Sequence, residues 1–317
     1  MEKVAALEII SPGPLTTIQD LGRQGHGRYG VPPSGAVDPF SLRIANLLVG
    51  NREQEACLET TLMGLKAGVL TDLVIAITGG DLQPHINDAP CMMWQSLVAR
   101  KGDLLHFKAV QTGCRAYLAI AGGIRVDPVL GSKSTNLISG FGGYEGRRLK
   151  EGDVLFTSPP CSRFYPLGKI LDQDKIPVFK KHSVLRILWG PQAEDFTPES
   201  KTVLLDSVFS VTPMSDRTGI RLSGPLIQRK EGISESIISE GVIAGSVQVP
   251  GDGQPIIILV ETVTGGYRKI ATVIGADIPL LGQVKPGDLA MFRALSQKQA
   301  LQALRETERT IAHLKEE

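Results

Sequence analysis

Gly152-Asp153-Val154-Leu155 carries a turn-and-strand signal that returns twice more, as Gly102-Asp103-Leu104-Leu105 and as Gly287-Asp288-Leu289-Ala290. A Gly-Asp turn feeding an apolar run is the entry to a β-hairpin, because glycine takes the left-handed backbone and aspartate accepts the turn's N–H groups. Working outward, the same grammar holds along the chain. Apolar, β-branched runs at 69–78, 115–121, 184–189, 208–212, 255–260 and 269–274 read as strands. Gly-Gly pairs punctuate them at Gly79-Gly80, Gly122-Gly123, Gly142-Gly143 and Gly265-Gly266. With 35 glycines and 20 prolines cutting the chain into short pieces, β-barrels or sandwiches are expected rather than a doubly wound sheet.

Two helices interrupt this pattern. Asp38-Pro39 precedes Phe40, Ile44, Leu47 and Leu48 and the run meets Gly50, so 39–49 has an N-cap, a first-turn proline, an apolar stripe and a terminal glycine. Ser296-Gln297-Lys298-Gln299 is a capping box, and Leu301, Leu304, Ile311 and Leu314 then fall near one face.

A chain of 317 residues exceeds one ordinary core, so two domains are expected. The proline- and charge-rich stretch 159–181 lacks periodicity and reads as the join. The division expected is an N-terminal half at 1–165, a linker at 166–181, a C-terminal half at 182–295 and a C-terminal helix at 296–317. Net charge of +1 offers no electrostatic footprint for nucleic acid or an anionic membrane. No apolar run approaches the ~20 residues of a membrane span. Met1-Glu2-Lys3-Val4 lacks a basic-then-apolar leader pattern, so a cytoplasmic protein is expected. Cys57, Cys91, Cys114 and Cys161 form no CxxC pair and the five histidines are scattered, so no metal site is expected.

The polar residues that a packed core does not require fall into clusters. Gln19-Asp20-Leu21-Gly22-Arg23 precedes Gly30-Val31-Pro32-Pro33-Ser34-Gly35, a rigid turn-rich stretch suited to presenting side chains. For Gln19, Asp20 and Arg23, a binding site and a structural ion-paired role are both open. Asp38 is read as a helix cap. Ser215-Asp216-Arg217, Ser239-Glu240-Gly241, Gln248-Val249-Pro250 and Thr264-Gly265-Gly266-Tyr267 follow. Strand ends feeding a Gly-Gly turn can offer backbone N–H groups and a phenol to a ligand, or Tyr267 can simply cover a barrel end. Gly131-Ser132-Lys133-Ser134-Thr135 lacks the upstream glycine of a phosphate loop and the helix that should follow it.

Taken in order, Gln19–Arg23, the 31–38 segment, Leu58-Glu59, Tyr117-Leu118-Ala119-Ile120-Ala121-Gly122-Gly123, Gly131 to Thr135, Ser215-Asp216-Arg217, Gln248-Val249-Pro250 and Thr264-Gly265-Gly266-Tyr267 resemble one family. It is the allophanate hydrolase subunit 2, or biotin-dependent carboxyltransferase, family, which includes KipA and the C subunit of bacterial 5-oxoprolinase (PxpC). The resemblance runs over 7–292. One departure is Glu261, where family members often carry Asp.

The resemblance implies a mainly β fold of two cyclophilin-like β-barrel units with a cleft between them and a few helices. It implies partner subunits of the KipI/PxpB type and of the LamB/YcsF (PxpA) type. The activity implied is ATP-dependent cleavage of 5-oxoproline to L-glutamate, with ATP and Mg acting at the level of the complex. A second implied role is the carboxyltransferase half of a biotin-dependent urea- or allophanate-type enzyme. A third is a non-catalytic regulator that binds a KipI-type kinase inhibitor. Under the first role, Asp20, Arg217 and Gln248 are nominated for catalysis. Gln19, Arg23, Ser34, Gly35, Gly265, Gly266 and Tyr267 are nominated for substrate binding. The apolar segments 62–70 and 256–260 are long for a chain with few helices, so part of their surface is expected to close against a partner.

Overall fold

The three Gly-Asp turns share one geometry. In each, the aspartate N–H donates to the carbonyl three residues back: Asp103 to Arg100 at 3.0 Å, Asp153 to Lys150 at 3.2 Å and Asp288 to Lys285 at 3.0 Å. The carboxylate then accepts from the N–H of that same residue, at 2.7 Å for Arg100, 2.7 Å for Lys150 and 3.1 Å for Lys285. The glycines at 102, 152 and 287 have φ of 92°, 84° and 87°, which the turn requires at its third position. A strand follows each turn at once.

The computed structural model describes residues 3–158 and 167–316. Pro159, Pro160, Cys161 and Pro166, part of the expected join, lie outside the described residues. Two compact units emerge. The first takes Met1–Arg23, Ser34–Val178 and Thr310–Glu317, and the second takes Gln24–Pro33 and Phe179–Arg309. The units are therefore discontinuous in sequence.

The first unit holds β1 (Val4–Pro12), β2 (Leu15–Gln19), β3 (Cys57–Thr61), β4 (Leu65–Val69), β5 (Leu73–Asp81), β6 (Pro84–Ile86), β7 (Ala89–Pro90), β8 (Ser96–Ala99), β9 (Leu104–Phe107), β10 (Thr112–Ile120) and β11 (Val154–Thr157). One sheet runs β11-β1-β4-β9-β6-β7 and the other β2-β3-β10-β5-β8. Leu7, Ile9, Ile18, Leu58, Leu65, Ile75, Phe107 and Leu118 from both sheets form one buried cluster. Helix α1 (Pro39–Leu48) lies on the β5 and β10 side, capped by Asp38, whose carboxylate accepts from Ser41 N at 2.9 Å and Ser41 Oγ at 2.6 Å.

In the second unit, β12 (His182–Trp189), β13 (Phe209–Val211), β14 (Gly219–Ser223), β15 (Ser236–Gly241), β16 (Ser246–Val249), β17 (Ile256–Ile258), β18 (Thr264–Val273) and β19 (Leu289–Ala294) form one sheet. Its order is β12-β19-β13-β14-β17-β16-β18, and β12 pairs with β18 again, so seven strands close into a barrel. β15 hangs from β18 outside the closed ring. Phe209 and Phe292 meet edge to face in its core at 5.9 Å between centroids.

The helices α2 (Pro198–Asp206), α3 (Ile278–Leu281) and α4 (Gln297–Glu316) belong to the later chain. α4 starts with the expected capping box: Ser296 N donates to Gln299 Oε1 at 2.9 Å and Gln299 N donates to Ser296 Oγ at 3.4 Å. α2 leaves no apolar stripe in the sequence, because only Ser200 and Leu204 of its residues are buried.

The two long apolar segments are buried in part within their own units and exposed in part at Met63. Leu65, Ala67 and Val69 are buried in the first unit's own core, and Ile257, Ile258 and Leu259 are buried in the second unit. Strand alternation accounts for Leu65, Ala67 and Val69, whereas 257–259 is buried on consecutive residues.

Candidate functional site

The nominated residues fall into two groups, one in each unit. In the first unit, β2 ends at Gln19 and its continuation sets Asp20 against the 132–135 segment. The Asp20 carboxylate accepts from Gly22 N at 2.7 Å, Ser132 Oγ at 2.6 Å, Lys133 N at 2.6 Å and Ser134 Oγ. Its backbone joins in, with Asp20 N donating to Ser134 Oγ at 2.9 Å and Ala36 N donating to Asp20 O at 2.9 Å. Four donors on one carboxylate make Asp20 a fastener of two loops.

Gln19 is fully buried, with Nε2 donating to Thr17 Oγ1 at 3.0 Å and Thr135 O at 3.2 Å. Its Oε1 is buried with no hydrogen-bond partner. Arg23 is buried too. Its guanidinium donates to Ser134 O and stands 4.7 Å over the Phe141 ring, so it is braced by the loop. Ser34 is buried with φ of 54°, and its hydroxyl accepts from Asn136 Nδ2 at 3.1 Å. Gly35 has φ of 90°, and a Cβ there would stand 2.8 Å from Gly22 N, so the two glycine backbones touch. The structure thus brings Gln19, Asp20, Arg23, Ser34 and Gly35 together around 132–136.

The Gly131–Thr135 stretch cannot cradle a phosphate as folded. Ser132 and Ser134 spend their hydroxyls on Asp20, and Lys133 Nζ is held by Glu55 and by Ile124 O at 3.0 Å.

Behind Ser34 and Gly35 lies a network the sequence reading passed over. Glu59 Oε2 accepts from Val37 N at 3.1 Å and from Tyr117 Oη at 2.7 Å, and Tyr117 Oη accepts from Asp38 N at 2.9 Å. Both side chains are buried. Burial, reinforced by the Glu59 carboxylate, pushes the Tyr117 phenol well above its usual range. The only sequence signal for this was a glutamate and a tyrosine inside otherwise apolar strands.

In the second unit, Gln248 on β16 faces β18. Its Nε2 donates to Tyr267 O at 3.3 Å, and a Cβ on Gly265 would run into that amide. Gly265 pairs with Glu240 on β15, and Tyr267 pairs with Ser236. Gly266 lies between them, against Ile237 O. The Tyr267 ring is 40% exposed, the most open of the nominated side chains. Beside this group, Glu240 accepts from Lys269 Nζ and from Gln192 Nε2 at 2.7 Å, and these bonds, Lys269 first, hold its carboxyl below the usual range. Arg217 stands apart in a buried ion pair, with Nη2 3.1 Å and Nε 3.3 Å from Glu261 Oε1. The longer side chain at the departing position, Glu261, is therefore the partner of Arg217.

The sequence matches the carboxyltransferase domain, subdomains A and B, over residues 29–294. It is 37% identical to the C subunit of 5-oxoprolinase from Escherichia coli over 97% of each chain. It is 38% identical to the urea amidolyase of Lachancea kluyveri over 95% of this chain and 17% of that one. Among solved structures, the urea carboxylase of Kluyveromyces lactis superposes with a TM-score of 0.91 at 34% identity, covering 99% of this chain and 29% of the other. The chain thus spans nearly all of one kind of relative and a minor share of the other.

Proposed function

Because the chain belongs to the family of the carboxyltransferase domain, subdomains A and B, we propose that it serves as the C subunit of an ATP-dependent 5-oxoprolinase. The complex would add water across the lactam C–N bond of 5-oxoproline: that bond breaks, a C–O bond forms, and the nitrogen takes a proton to give L-glutamate. ATP hydrolysis drives the step at the level of the assembly. The observation that carries the reading is the match over 97% of both chains to a 5-oxoprolinase C subunit, repeated against the Haemophilus influenzae protein at 33% identity over 95% of each.

In this reading the chain needs partner subunits, of the KipI/PxpB and LamB/YcsF types. The residues at 131–135 do not fit a triphosphate, since their hydroxyls and ammonium are already engaged. The chain's own contribution is rigid presentation. Asp20 O and Glu59 Oε2 accept from Ala36 N and Val37 N and so hold the chain just after Ser34-Gly35, and Gln248 braces the start of β18 through Tyr267 O.

A second reading, the carboxyltransferase part of a biotin-dependent enzyme, is favoured by the TM-score of 0.92 to the urea amidolyase of K. lactis. Co-expression with candidate partner subunits separates the two. ATP-dependent glutamate release from 5-oxoproline supports the first. Carboxylation of urea from carboxybiotin without glutamate release supports the second and rejects the first.

A further inference from the structure

A groove of about 520 Å³ opens on the first unit between the turn at 125–129, the loop at 140–146 and β11. That is within the ~300–1,000 Å³ of ordinary ligand pockets. None of the nominated residues lines it. Its floor carries three rings, each with a cation over one face: Arg23 over Phe141 at 4.7 Å, Arg147 over Tyr144 at 4.9 Å and Lys3 over Phe156 at 4.6 Å. Such contacts fix the rings in place.

The loop wall is preformed. A Cβ at Gly142 would strike Ser134 O, one at Gly143 would strike Thr135 Oγ1, and one at Gly146 would strike Gly140 O. The wall therefore rests directly on the segment that Asp20 and Gln19 hold. A rigid wall with an aromatic floor costs a ligand little ordering entropy in the protein.

The rim decides the ligand class. It carries two cations, Lys3 and Arg125, and two carboxylates, Asp127 and Glu145. Arg125 is braced, with Nε donating to Ser158 Oγ at 2.8 Å, and Glu145 is tied to Arg147 at 2.9 Å. A polyphosphate would meet both carboxylates at close range. A plain hydrocarbon would bring no hydrogen-bond donor to the Asp127 carboxylate and no anion to the Lys3 and Arg125 side of the rim. A small apolar ring bearing one carboxylate and one amide N–H satisfies floor and rim together. We infer that this groove binds such a ring, with the carboxylate on Lys3 and Arg125, the N–H on Asp127 and the methylenes over the aromatic floor. Five-membered lactam carboxylates are the matching class, and the choice of 5-oxoproline as the natural member rests on the function proposed above.

The test is a titration of the purified full chain, alone and with its partner subunits, followed by ligand-observed NMR. L-5-oxoproline is expected to bind. Its methyl ester, which lacks the free carboxylate, is expected to bind at least about tenfold more weakly, as loss of a charge-assisted contact implies. Arg125→Ala and Asp127→Asn should each weaken 5-oxoproline by about tenfold at unchanged Tm, since both side chains are exposed. Equal binding of acid and ester, indifference to both substitutions, or displacement of 5-oxoproline by ATP but not by excess lactam would overturn the inference. Glutamate release that persists unchanged in Arg125→Ala rejects the groove and keeps the proposed function. Binding through Arg125 in a complex that releases no glutamate does the reverse.

Discussion

Tyr117 Oη donates to Glu59 Oε2 at 2.7 Å inside the first unit, and each of the two also takes a backbone N–H from the segment that follows Gly35. This pair is a clamp on the loop, built from adjacent strands, β3 and β10, which pair Tyr117 directly with Glu59. Tyr117→Phe removes the Asp38 N–H acceptor and one Glu59 donor at a buried site. We expect a loss of about 1–3 kcal/mol in urea unfolding, with faster amide exchange at Asp38.

The same phenol sets an alkaline limit. Its native value is raised above the ~10 of an unfolded tyrosine. The stabilisation is therefore complete below about pH 10. It falls as pH rises beyond that, because the unfolded chain ionises while the native one keeps its proton. The slope from this one group is about 1.4 kcal/mol per pH unit. Unfolding measured between pH 9 and 11 should show a steeper decline in the wild type than in Tyr117→Phe. Parallel curves would count against it.

Asp20→Asn keeps the shape but replaces two acceptor oxygens by one. Of Gly22 N, Ser132 Oγ, Lys133 N and Ser134 Oγ, at least one donor then faces an amide N–H. Hydrogen bonds to a charged acceptor contribute about 1.5–3 kcal/mol each, so a loss on that scale is expected, together with proteolytic sensitivity near 132–135. A variant that is as stable as wild type yet inactive would favour the catalytic nomination of Asp20 over a purely structural role.

Gly35→Ala tests the close approach of two loops. The φ of 90° and the 2.8 Å gap to Gly22 N leave no room for a methyl group without backbone movement. Strain of about 1–3 kcal/mol is expected, and the combined Gly35→Ala with Tyr117→Phe variant should lose less than the sum, since both loosen one segment. Urea midpoints of the two single variants and the double variant supply the comparison.

The strand grammar was legible because its cause is local. Gly102, Gly152 and Gly287 need a left-handed backbone and Asp103, Asp153 and Asp288 close the turn on it, all within four residues. The cap at Asp38 and the capping box at Ser296 are local for the same reason. The candidate site was legible only as residue types. Asp20 meets Ser134 over a separation of 114 residues, and Tyr117 meets Glu59 over 58. Nothing in the composition of 19–23 says which serines it will hold. Gly142 and Gly143 read as a turn, yet what makes them glycine is the Ser134 and Thr135 backbone and side chain pressed against them. The seven-strand closure through β12 and β18 is equally non-local, as is the placement of Gln24–Pro33 in the second unit.

Arg217 and Glu261 give the sharpest separation of a structural from a catalytic role. Their side chains are 4% and 2% exposed, with the guanidinium 3.1 Å from the carboxylate. Two charges so deeply buried offset part of each other's lost hydration, and removing one takes that compensation from the other at a cost of about 3–5 kcal/mol. Arg217→Ala should therefore lower Tm clearly and shift the urea midpoint. The double variant Arg217→Met with Glu261→Leu removes both charges while keeping apolar volume, and it should recover at least part of that loss. Activity of the assembled complex, corrected for the folded fraction, then discriminates. If the pair only holds the barrel, the double variant regains specific activity along with stability. If Arg217 also contacts a reacting group, stability returns while kcat stays depressed by about tenfold or more, the factor that losing ~1.4 kcal/mol of transition-state binding produces.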